Sequence, residues 1–245
     1  MSADPDPSGI WLDQATVRLG GRVVLDGLTL SLTEARIGIL GRNGSGKSTF
    51  LRLIAGLIAP DRGRVRVEGA DPFADRKAAL RNLGILFQNP DHQILFPTVE
   101  EELAFGLVQQ GMTQAEALAR AHRTLAEEAR SHWAQAPVST LSQGQRHYLC
   151  LLAVLLMQPR TILLDEPFAG LDLPTQARLA RRLAALPQRL LTITHDPAAL
   201  DGADRVLWLE AGRILMDGPP DAVVPAFTAE MDRIGARDAD ADLAG

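Results

Sequence analysis

Short, continuous apolar runs recur along the chain, with polar or glycine-containing segments between them. Continuous rather than alternating runs are typical of the strands of a parallel sheet that is covered on both faces. The pattern predicts strands at residues 23–25, 28–32, 37–40, 64–67, 83–87, 161–164, 190–194 and 206–209. These strands, with helix-compatible segments between them, predict an α/β fold.

The middle of the chain, residues 98–157, shows helical spacing of apolar residues and no strand-like run. Thr98 with Glu101, and Thr113 with Glu116, match the Thr-x-x-Glu capping box that begins many helices. An apolar stripe at 3-and-4 spacing follows the second box and predicts a buried helix face of Leu118, Ala119, His122, Leu125, Ala126 and Ala129. We therefore predict a mostly helical insert within the α/β core.

Composition excludes several classes of protein. The 245 residues carry 30 acidic and 25 basic side chains, a formal net charge of −5, which argues against the basic surface that a nucleic-acid partner needs. The longest uncharged apolar run, residues 148–158, is well short of the roughly 20 residues that span a membrane. Cys150 is the only cysteine, so no intrachain disulfide can form and a reducing compartment is favoured.

Residues 41–49, GRNGSGKST, match the pattern G-x-x-x-x-G-K-[ST] of a phosphate-binding loop (P-loop) between a strand and a helix. The glycines let backbone N–H groups converge on phosphate oxygens, and the following helix directs its positive end at the same anions. Lys47 adds a positive charge for the β- and γ-phosphates, and the Ser48 hydroxyl can bind Mg²⁺. The predicted nucleotide-binding residues are Gly41, Asn43, Gly44, Ser45, Gly46, Lys47, Ser48 and Thr49.

Two adjacent carboxylates, Asp165 and Glu166, come directly after the predicted strand 161–164. Such a pair at a strand end is costly unless something there uses it. Asp165 is placed to reach Mg²⁺, often through water, and Glu166 to orient and deprotonate an attacking water molecule. The alternative is that the pair only caps the next element.

Two further polar residues, His195 and Gln88, follow predicted strands. Ligands of α/β proteins bind at the carboxyl edge of the sheet, where both side chains are expected. His195 can hold the γ-phosphate and the catalytic water, and Gln88 can contact Mg²⁺ or that water. The alternatives are an incidental loop histidine and a surface amide.

A second anion site is predicted where Ser142 and Gln145 form a Ser-x-x-Gln capping box at the start of a long apolar helix. The chain already has one helix N-terminus for phosphate in the P-loop. If both act on one nucleotide, the second comes from another subunit, which would contact the nucleotide through Ser142, Gly144 and Gln145.

LSQGQ at residues 141–145 resembles the LSGGQ signature of ATP-binding cassette (ABC) ATPases. The P-loop, Gln88, the Asp165–Glu166 pair, AGLD at 169–172 and His195 are similar to the other motifs of that family, over residues 10–225. The resemblance implies a P-loop NTPase (RecA-like) core, an N-terminal antiparallel β subdomain and an inserted helical subdomain. It also implies ATP hydrolysis with Mg²⁺, in a head-to-tail dimer that holds two ATP molecules.

The segment LFQNPDHQILFPTVEEELAFG, residues 86–106, resembles the ATPases of energy-coupling-factor (ECF) importers of vitamins and metals. The resemblance implies a groove beside it that receives arginine-bearing coupling helices of a transmembrane subunit. Glu100, Glu101 and Glu102 are then candidate partners for those arginines. The alternative is a negatively charged first turn that stabilises its own helix.

The resemblance also implies partners and a location. We expect a homodimer, peripheral on the cytoplasmic face of the inner membrane, bound to a transmembrane coupling protein and a substrate-binding membrane protein. The chain is shorter than many cobalt ATPases, which favours a biotin importer; a cobalt or nickel importer is the alternative. The expected organisation is a flexible tail at 1–9, an ATPase domain at 10–228 with its helical subdomain at about 97–158, and a C-terminal tail at 229–245.

Two residues depart from the family pattern. Gln143 replaces the first glycine of the signature, which we expect to put a side chain near the phosphate held by the partner. Leu19 stands where the family has an adenine-stacking aromatic residue, so nucleotide selectivity is expected to be relaxed. Two other classes stay open: a small-molecule P-loop kinase, which leaves the signature unexplained, and a soluble assembly or DNA-repair ABC ATPase.

Overall fold

The computed structural model describes residues 8–236, and within them the chain forms nine strands and seven α-helices. The strands are β1 (Ile10–Leu19), β2 (Arg22–Leu32), β3 (Arg36–Leu40), β4 (Arg62–Val67), β5 (Leu83–Leu86), β6 (Thr161–Asp165), β7 (Arg189–Thr194), β8 (Arg205–Glu210) and β9 (Arg213–Gly218). The helices are α1 (Lys47–Ile54), α2 (Arg76–Asn82), α3 (Val99–Gln109), α4 (Gln114–Glu127), α5 (Gln143–Leu156), α6 (Leu173–Ala184) and α7 (Pro220–Gly235).

The strands form two sheets. The smaller sheet is antiparallel, in the order β2-β1-β4. The larger has the order β5-β6-β7-β3-β8-β9; its first five strands are parallel and β9 is antiparallel to β8. Helices α3, α4 and α5 pack around an apolar cluster of their own. This architecture confirms the predicted fold class, including the antiparallel subdomain and the helical insert.

Large apolar side chains fill the space between the two sheets. Leu12 of β1, Ile39 of β3 and Phe50 of α1 are fully buried in one cluster. Burying one such side chain stabilises the fold by about 1.5–3 kcal/mol. The cluster therefore fixes the antiparallel sheet over the strand and helix that flank the P-loop.

The strand order brings the candidate site residues to one edge of the larger sheet. β6, β7 and β3 are parallel neighbours, so their carboxyl ends meet at that edge. β3 leads into the P-loop, β6 ends at Asp165, and His195 follows the last residue of β7. β5 lies beside β6, and Gln88 follows it by two residues.

Details of the helical insert differ from the prediction. Thr113 caps α4 with both bonds of the capping box. Thr98 does not cap α3 through its side chain, because its hydroxyl instead donates to the Glu101 carboxylate at 2.5 Å. The buried face of α4 consists of Ala117, Ala121 and Leu125. The predicted stripe shares only Leu125 with this face, since alanines are compatible with either side of a helix.

The sequence pattern does not predict β1 or β9. In β1, Gln14 has a φ of 49° and the pairing register shifts around it, which interrupts the alternation of apolar residues. β9 is an edge strand whose residues are exposed or half-buried, so it lacks the continuous apolar run of its neighbours.

The proposed domain limits fall near the ends of the described chain. Of the predicted N-terminal tail, only residues 8 and 9 are described, and of the C-terminal tail, residues 237–245 lie outside the described range. Helix α7 continues through residue 228, where we placed the end of the ATPase domain. None of the helices in the described part of the chain has the length and apolar character that crossing a membrane requires.

Candidate nucleotide-binding site

Lys47, the first residue of α1, folds its side chain back into the P-loop. The side chain is buried, and Nζ donates to the carbonyl oxygens of Gly41 at 2.7 Å and Arg42 at 3.0 Å. Burial lowers the pKa of Lys47, and the negative charges of Glu166 and Asp165 oppose this shift. The ammonium group thus stabilises the curled loop and lies within the field of both carboxylates.

The P-loop leaves hydrogen-bonding groups for a ligand. The N-cap of α1, Gly46, offers no side-chain cap, so the first N–H groups of this helix are not capped within the loop. Ser45 is only 3% exposed, and its Oγ has no hydrogen-bond partner among the described residues. A buried polar atom without a partner costs about 1–3 kcal/mol. A phosphate in the loop can supply the missing acceptor and contacts, so these residues fit the γ- and β-phosphates of a nucleotide.

Gly212, in the turn between β8 and β9, fixes the P-loop from outside the loop itself. Its N–H donates to the Ser45 carbonyl at 3.0 Å, and its carbonyl accepts from the Asp26 N–H at 3.0 Å. Gly212 has a φ of 77°, and a Cβ atom there would lie 2.2 Å from the Val24 carbonyl oxygen. Only glycine fits this position, which joins the P-loop to β2.

Asp165 and Glu166 lie at the end of β6. Glu166 has a φ of 47°, unusual for a residue with a side chain, and its N–H donates to the Ile193 carbonyl at 2.8 Å. Burial and the neighbouring Glu166 charge raise the pKa of Asp165, while Lys47 and Arg52 oppose this. Two adjacent carboxylates in such surroundings are stabilised by a bound cation.

Three donors from β7 and the residue after it hold the Glu166 carboxylate. The Thr194 hydroxyl donates to Oε2 at 2.9 Å, and the His195 N–H donates to Oε1 at 2.9 Å. The ring Nδ1 of His195 also lies 2.7 Å from Oε1. The Glu166 side chain is 11% exposed and that of His195 is 54% exposed. The histidine ring therefore connects a nearly buried carboxylate with the open part of the site.

An open cavity of 400 Å³ brings most of these residues together. It is lined by Val24, Asn43, Gly44, Gly46, Lys47, Ser48, Thr49, Gln88, Asp165, Glu166 and His195. Gly41 and Ser45 are buried in the P-loop. Residues predicted from four separate segments of the sequence thus surround one cavity.

The signature residues lie at a different place in the chain. Ser142, Gly144 and Gln145 line a second cavity of 200 Å³ between α5 and α6. The predicted capping box is present: the Ser142 N–H donates to Oε1 of Gln145 at 2.7 Å, and the Gln145 N–H to Oγ of Ser142 at 3.3 Å. The signature and the P-loop do not share a cavity within one chain, so a second copy is needed if both contact the same nucleotide.

Sequence reasoning missed two residues of the site. Thr194 is 1% exposed and holds the Glu166 carboxylate, but a threonine at the end of an apolar strand is unremarkable in sequence. Val24 lines the cavity from β2, a strand of the other sheet. Neither role has a sequence signal, because each depends on packing between distant segments.

The fit to Mg²⁺ rests on one hydroxyl and one or two carboxylates. Ser48 and Asp165 line the same cavity, with Gln88 on its wall. No group of three or more histidine, cysteine or acidic side chains that could hold a metal is found among residues 8–236. Mg²⁺ usually takes few protein ligands and completes its octahedron with phosphate oxygens and water. The donor set is therefore of the kind that a nucleotide-bound Mg²⁺ uses.

A larger cavity of 700 Å³ lies between β5 and the helical insert. We call it the subdomain groove and define it by Leu83, Phe87, Leu95, Phe105 and Met157. Leu95 is 67% exposed at this groove, so the groove offers apolar surface to solvent.

All three glutamates predicted to contact a membrane subunit have partners within the chain. Glu102 is buried and accepts the N–H groups of Leu95 at 2.8 Å and Phe96 at 3.0 Å. Burial raises the pKa of Glu102. Glu100 lies 2.6 Å from Nε2 of His122, and Glu101 accepts the Thr98 hydroxyl. Glu102 therefore holds the loop that carries Leu95, a role that differs from both sequence-based interpretations.

Comparison with known proteins identifies the family. The sequence profile of the ABC transporter family matches residues 25–169. The biotin transport ATP-binding protein BioM of Rhodobacter capsulatus is 54% identical over 220 residues, which cover 90% of this chain and 94% of that protein. The cobalt import ATP-binding protein CbiO of Syntrophus aciditrophicus is 34% identical over 209 residues, covering 83% of this chain and 75% of that protein.

A solved structure shows the same fold. CbiO1 from Clostridium perfringens, described as part of the ABC transporter complex CbiONQ, superposes with a TM-score of 0.75 at 26% identity. The match covers 96% of this chain and 97% of that one. The P-loop and the carboxylate pair that line the 400 Å³ cavity lie within the residues matched by the family profile, and His195 lies beyond their end. The chain therefore belongs to the family of ABC transporter ATPases.

Proposed function

We propose that this chain is the ATP-hydrolysing subunit of an ECF-type importer of biotin. The observation that carries the proposal is the single cavity that joins Lys47, Asp165, Glu166 and His195. The 54% identity to a biotin transport ATP-binding protein supports biotin over cobalt, whose import protein is 34% identical. A cobalt or nickel importer is the alternative.

The P-loop residues hold the triphosphate of ATP in this proposal. Lys47 and the uncapped N–H groups of α1 bind its β- and γ-phosphates, and Ser45 donates its unpartnered hydroxyl. Mg²⁺, held by Ser48 and Asp165 with Gln88 nearby, neutralises charge on the phosphates when it is bound.

Glu166 acts as the general base in the proposed reaction. It orients the attacking water and accepts its proton, because a carboxylate is placed for that role at the end of β6. Its three donors must first release part of the carboxylate, since Oε1 is held by two hydrogen bonds from His195 and Oε2 by one from Thr194. His195 leaves Glu166 and donates to the γ-phosphate instead.

We propose that two copies act together, head to tail. Ser142, Gly144 and Gln145 of one copy then contact the ATP held by the P-loop of the other. Support comes from the separation of the two anion sites within one chain, where they line different cavities.

The decisive experiment uses the Glu166→Gln variant, which keeps the shape of the side chain but cannot accept the proton. We expect it to bind ATP with Mg²⁺ and to accumulate as a dimer in size-exclusion chromatography with light scattering. A variant that hydrolyses ATP at the normal rate, or that stays monomeric both alone and with its membrane partners, would contradict the proposal. Transfer of phosphate to a substrate other than water would instead favour a kinase.

The proposed partners are a transmembrane coupling protein and a substrate-binding membrane protein, with this chain peripheral on the cytoplasmic face of the inner membrane. The subdomain groove is the proposed docking surface, because it exposes Leu95 beside the apolar floor formed by Leu83 and Phe105.

A charge placed in this groove tests the docking proposal. We expect Leu95→Asp to reduce copurification of the membrane subunits and to leave ATP-dependent dimerisation intact. Leu215→Asp is the matched control, because Leu215 is 58% exposed on edge strand β9 and does not line the groove. Mass spectrometry of the copurified subunits and of the bound small molecule distinguishes biotin, cobalt or nickel, and a soluble ABC ATPase without membrane partners.

A further inference from the structure

Gln143, the first residue of α5, lays its side chain against the AGLD turn of its own chain. A Cβ atom at Gly170 would lie 2.8 Å from Nε2 of Gln143, so the amide occupies the space beside this glycine. Gly170 has a φ of 70°, the left-handed region that favours glycine. The expectation that the Gln143 side chain lies near a phosphate held by the partner concerns the dimer and stays a prediction.

The first turns of α5 and α6 are also in close contact. A Cβ atom at Gly144 would lie 3.0 Å from Cγ2 of Thr175. The side chain of Asp172 caps α6 by accepting the Thr175 N–H at 3.0 Å. The signature thus meets the AGLD turn through Gln143 and the first turn of α6 through Gly144.

The AGLD turn leads directly back to Glu166. The Ala169 N–H donates to the Glu166 carbonyl at 3.0 Å, which makes the segment between them a tight turn. Gly170 is the next residue, so one turn separates the Gln143 contact from the proposed base. On its other side the turn is held by Gln176, whose Nε2 donates to the Leu171 carbonyl at 2.9 Å.

We propose that Gln143 is a positioning residue that couples the signature helix to the Glu166 turn. This inference rests on the proposed function, in which the signature contacts the partner's ATP and Glu166 acts on the ATP of its own chain. Binding of the partner's nucleotide at the signature then moves or steadies the Glu166 turn through the Gln143–Gly170 contact. Gln143 thereby links the two hydrolysis sites of the dimer.

If Gln143 acts in this way, substituting it should change the rate of the chemical step and leave nucleotide binding to the P-loop unchanged. Gln143 is exposed and does not line the 400 Å³ cavity. Misplacement of a reacting group by a fraction of an ångström to 1 Å lowers rates by up to about 10²-fold. We expect Gln143→Ala to lower kcat by about tenfold and to reduce the Hill coefficient for ATP toward 1, with KM changed by less than about twofold.

Two further variants separate positioning from a general loss of structure. Gln143→Met has a side chain of similar length that fills the same space, and it should restore kcat to within about threefold of the wild-type value. Gln114→Ala, at the exposed first residue of α4, is the control and should behave as wild type. Equal kcat for Gln143→Ala and the wild type would overturn the inference.

A double-mutant cycle tests the contact itself. Gly170→Ala adds a methyl group that meets the Gln143 amide, and it also introduces backbone strain that is the same in either background. If the two residues act through their contact, the combined loss of kcat in Gln143→Ala/Gly170→Ala is smaller than the product of the single losses by about threefold or more. Losses that multiply would overturn the inference.

The measurements use the full-length chain, alone and copurified with its membrane subunits, and include Glu166→Gln in parallel. A Glu166→Gln variant that fails to dimerise with ATP defeats the proposed function as a whole. A normal Glu166→Gln dimer together with an unchanged Gln143→Ala enzyme defeats only the coupling role of Gln143.

Discussion

Nδ1 of His195 lies 2.7 Å from Oε1 of Glu166, and the backbone N–H of the same histidine donates to the same oxygen at 2.9 Å. The proposed base and the proposed switch residue are therefore bound to each other in this structure. In the proposed mechanism the ring exchanges this contact for one to the γ-phosphate, so His195 controls both the freedom of the base and the charge on the phosphate.

Replacement of His195 by alanine tests this double role. We expect His195→Ala to lower kcat for ATP hydrolysis by about 10²-fold, the lower end of the usual contribution of such groups. ATP should still bind, because Lys47 and the α1 N-terminus are unchanged. Phosphate release in steady state measures kcat, and His132→Ala, an exposed histidine of the helical insert, is the control. A variant with normal kcat would assign His195 no part in the reaction.

The chain has only two lysines, and they provide a matched pair. Lys47 is buried in the P-loop, whereas Lys77 is exposed on α2. We expect Lys47→Ala to weaken ATP binding by about 10²-fold, because a charge-assisted contact to phosphate is worth roughly 1.5–3 kcal/mol. Lys77→Ala should bind ATP normally. Isothermal titration calorimetry gives both constants, and similar affinities for the two variants would contradict the assigned role of Lys47.

The burial of His147 predicts how the stability of the protein depends on pH. It is 1% exposed, neither ring nitrogen has a hydrogen-bond partner among residues 8–236, and burial lowers its pKa below the ordinary value of 6.5. The unfolded chain therefore binds this proton more readily than the folded protein does. The free energy of unfolding should fall by about 1 kcal/mol per pH unit below pH 6.5, until the folded protein also binds the proton.

Urea denaturation of wild type and His147→Leu between pH 7.5 and 5.5, each of these pH values being roughly one unit from the ordinary histidine pKa, measures this contribution. The variant should lose the part of the slope that His147 contributes, and the exposed control His132→Leu should keep it. Parallel pH profiles for the wild type and His147→Leu would show that the histidine does not titrate as expected.

A substitution at Leu19 tests which nucleotides the site selects. It is 44% exposed at the end of β1, on the hairpin that continues into β2 and brings Val24 to the nucleotide cavity. An aromatic ring stacked on a base is worth about 0.5–1.5 kcal/mol, so Leu19→Tyr should tighten ATP binding by about fivefold. Competition with GTP measures the change in selectivity, with Leu215→Tyr as the control. No change in affinity would place the base away from this hairpin.

The positions of site residues at strand ends could be predicted from the sequence, because the geometry of parallel strands fixes where their carboxyl ends meet. Asp165, His195 and Gln88 each follow an apolar run, and the carboxyl ends of such runs lie at one edge of a sheet. The P-loop carries its own local pattern. The roles of these residues stay proposals, but their convergence on one cavity follows from strand order alone.

Contacts between distant segments could not be predicted from the sequence in the same way. The hydrogen bond from Thr194 to Glu166 and the contact of Gln143 with Gly170 depend on how β6, β7, α5 and α6 pack. Burial of Ala117 and Ala121 instead of Ala119 and Ala126 depends on a rotation of α4 that small side chains do not encode. The sequence predicts where a chain turns toward a site better than it predicts which neighbours support it.

The position of Gly212 predicts where mutations that inactivate the protein can occur outside its nucleotide-binding motifs. It belongs to none of the recognised nucleotide motifs, yet its two backbone hydrogen bonds hold the P-loop to β2. Random mutagenesis followed by selection for defective uptake should therefore recover alleles in the β8–β9 hairpin. Their biochemical phenotype would match that of P-loop alleles, although they map far from the P-loop codons.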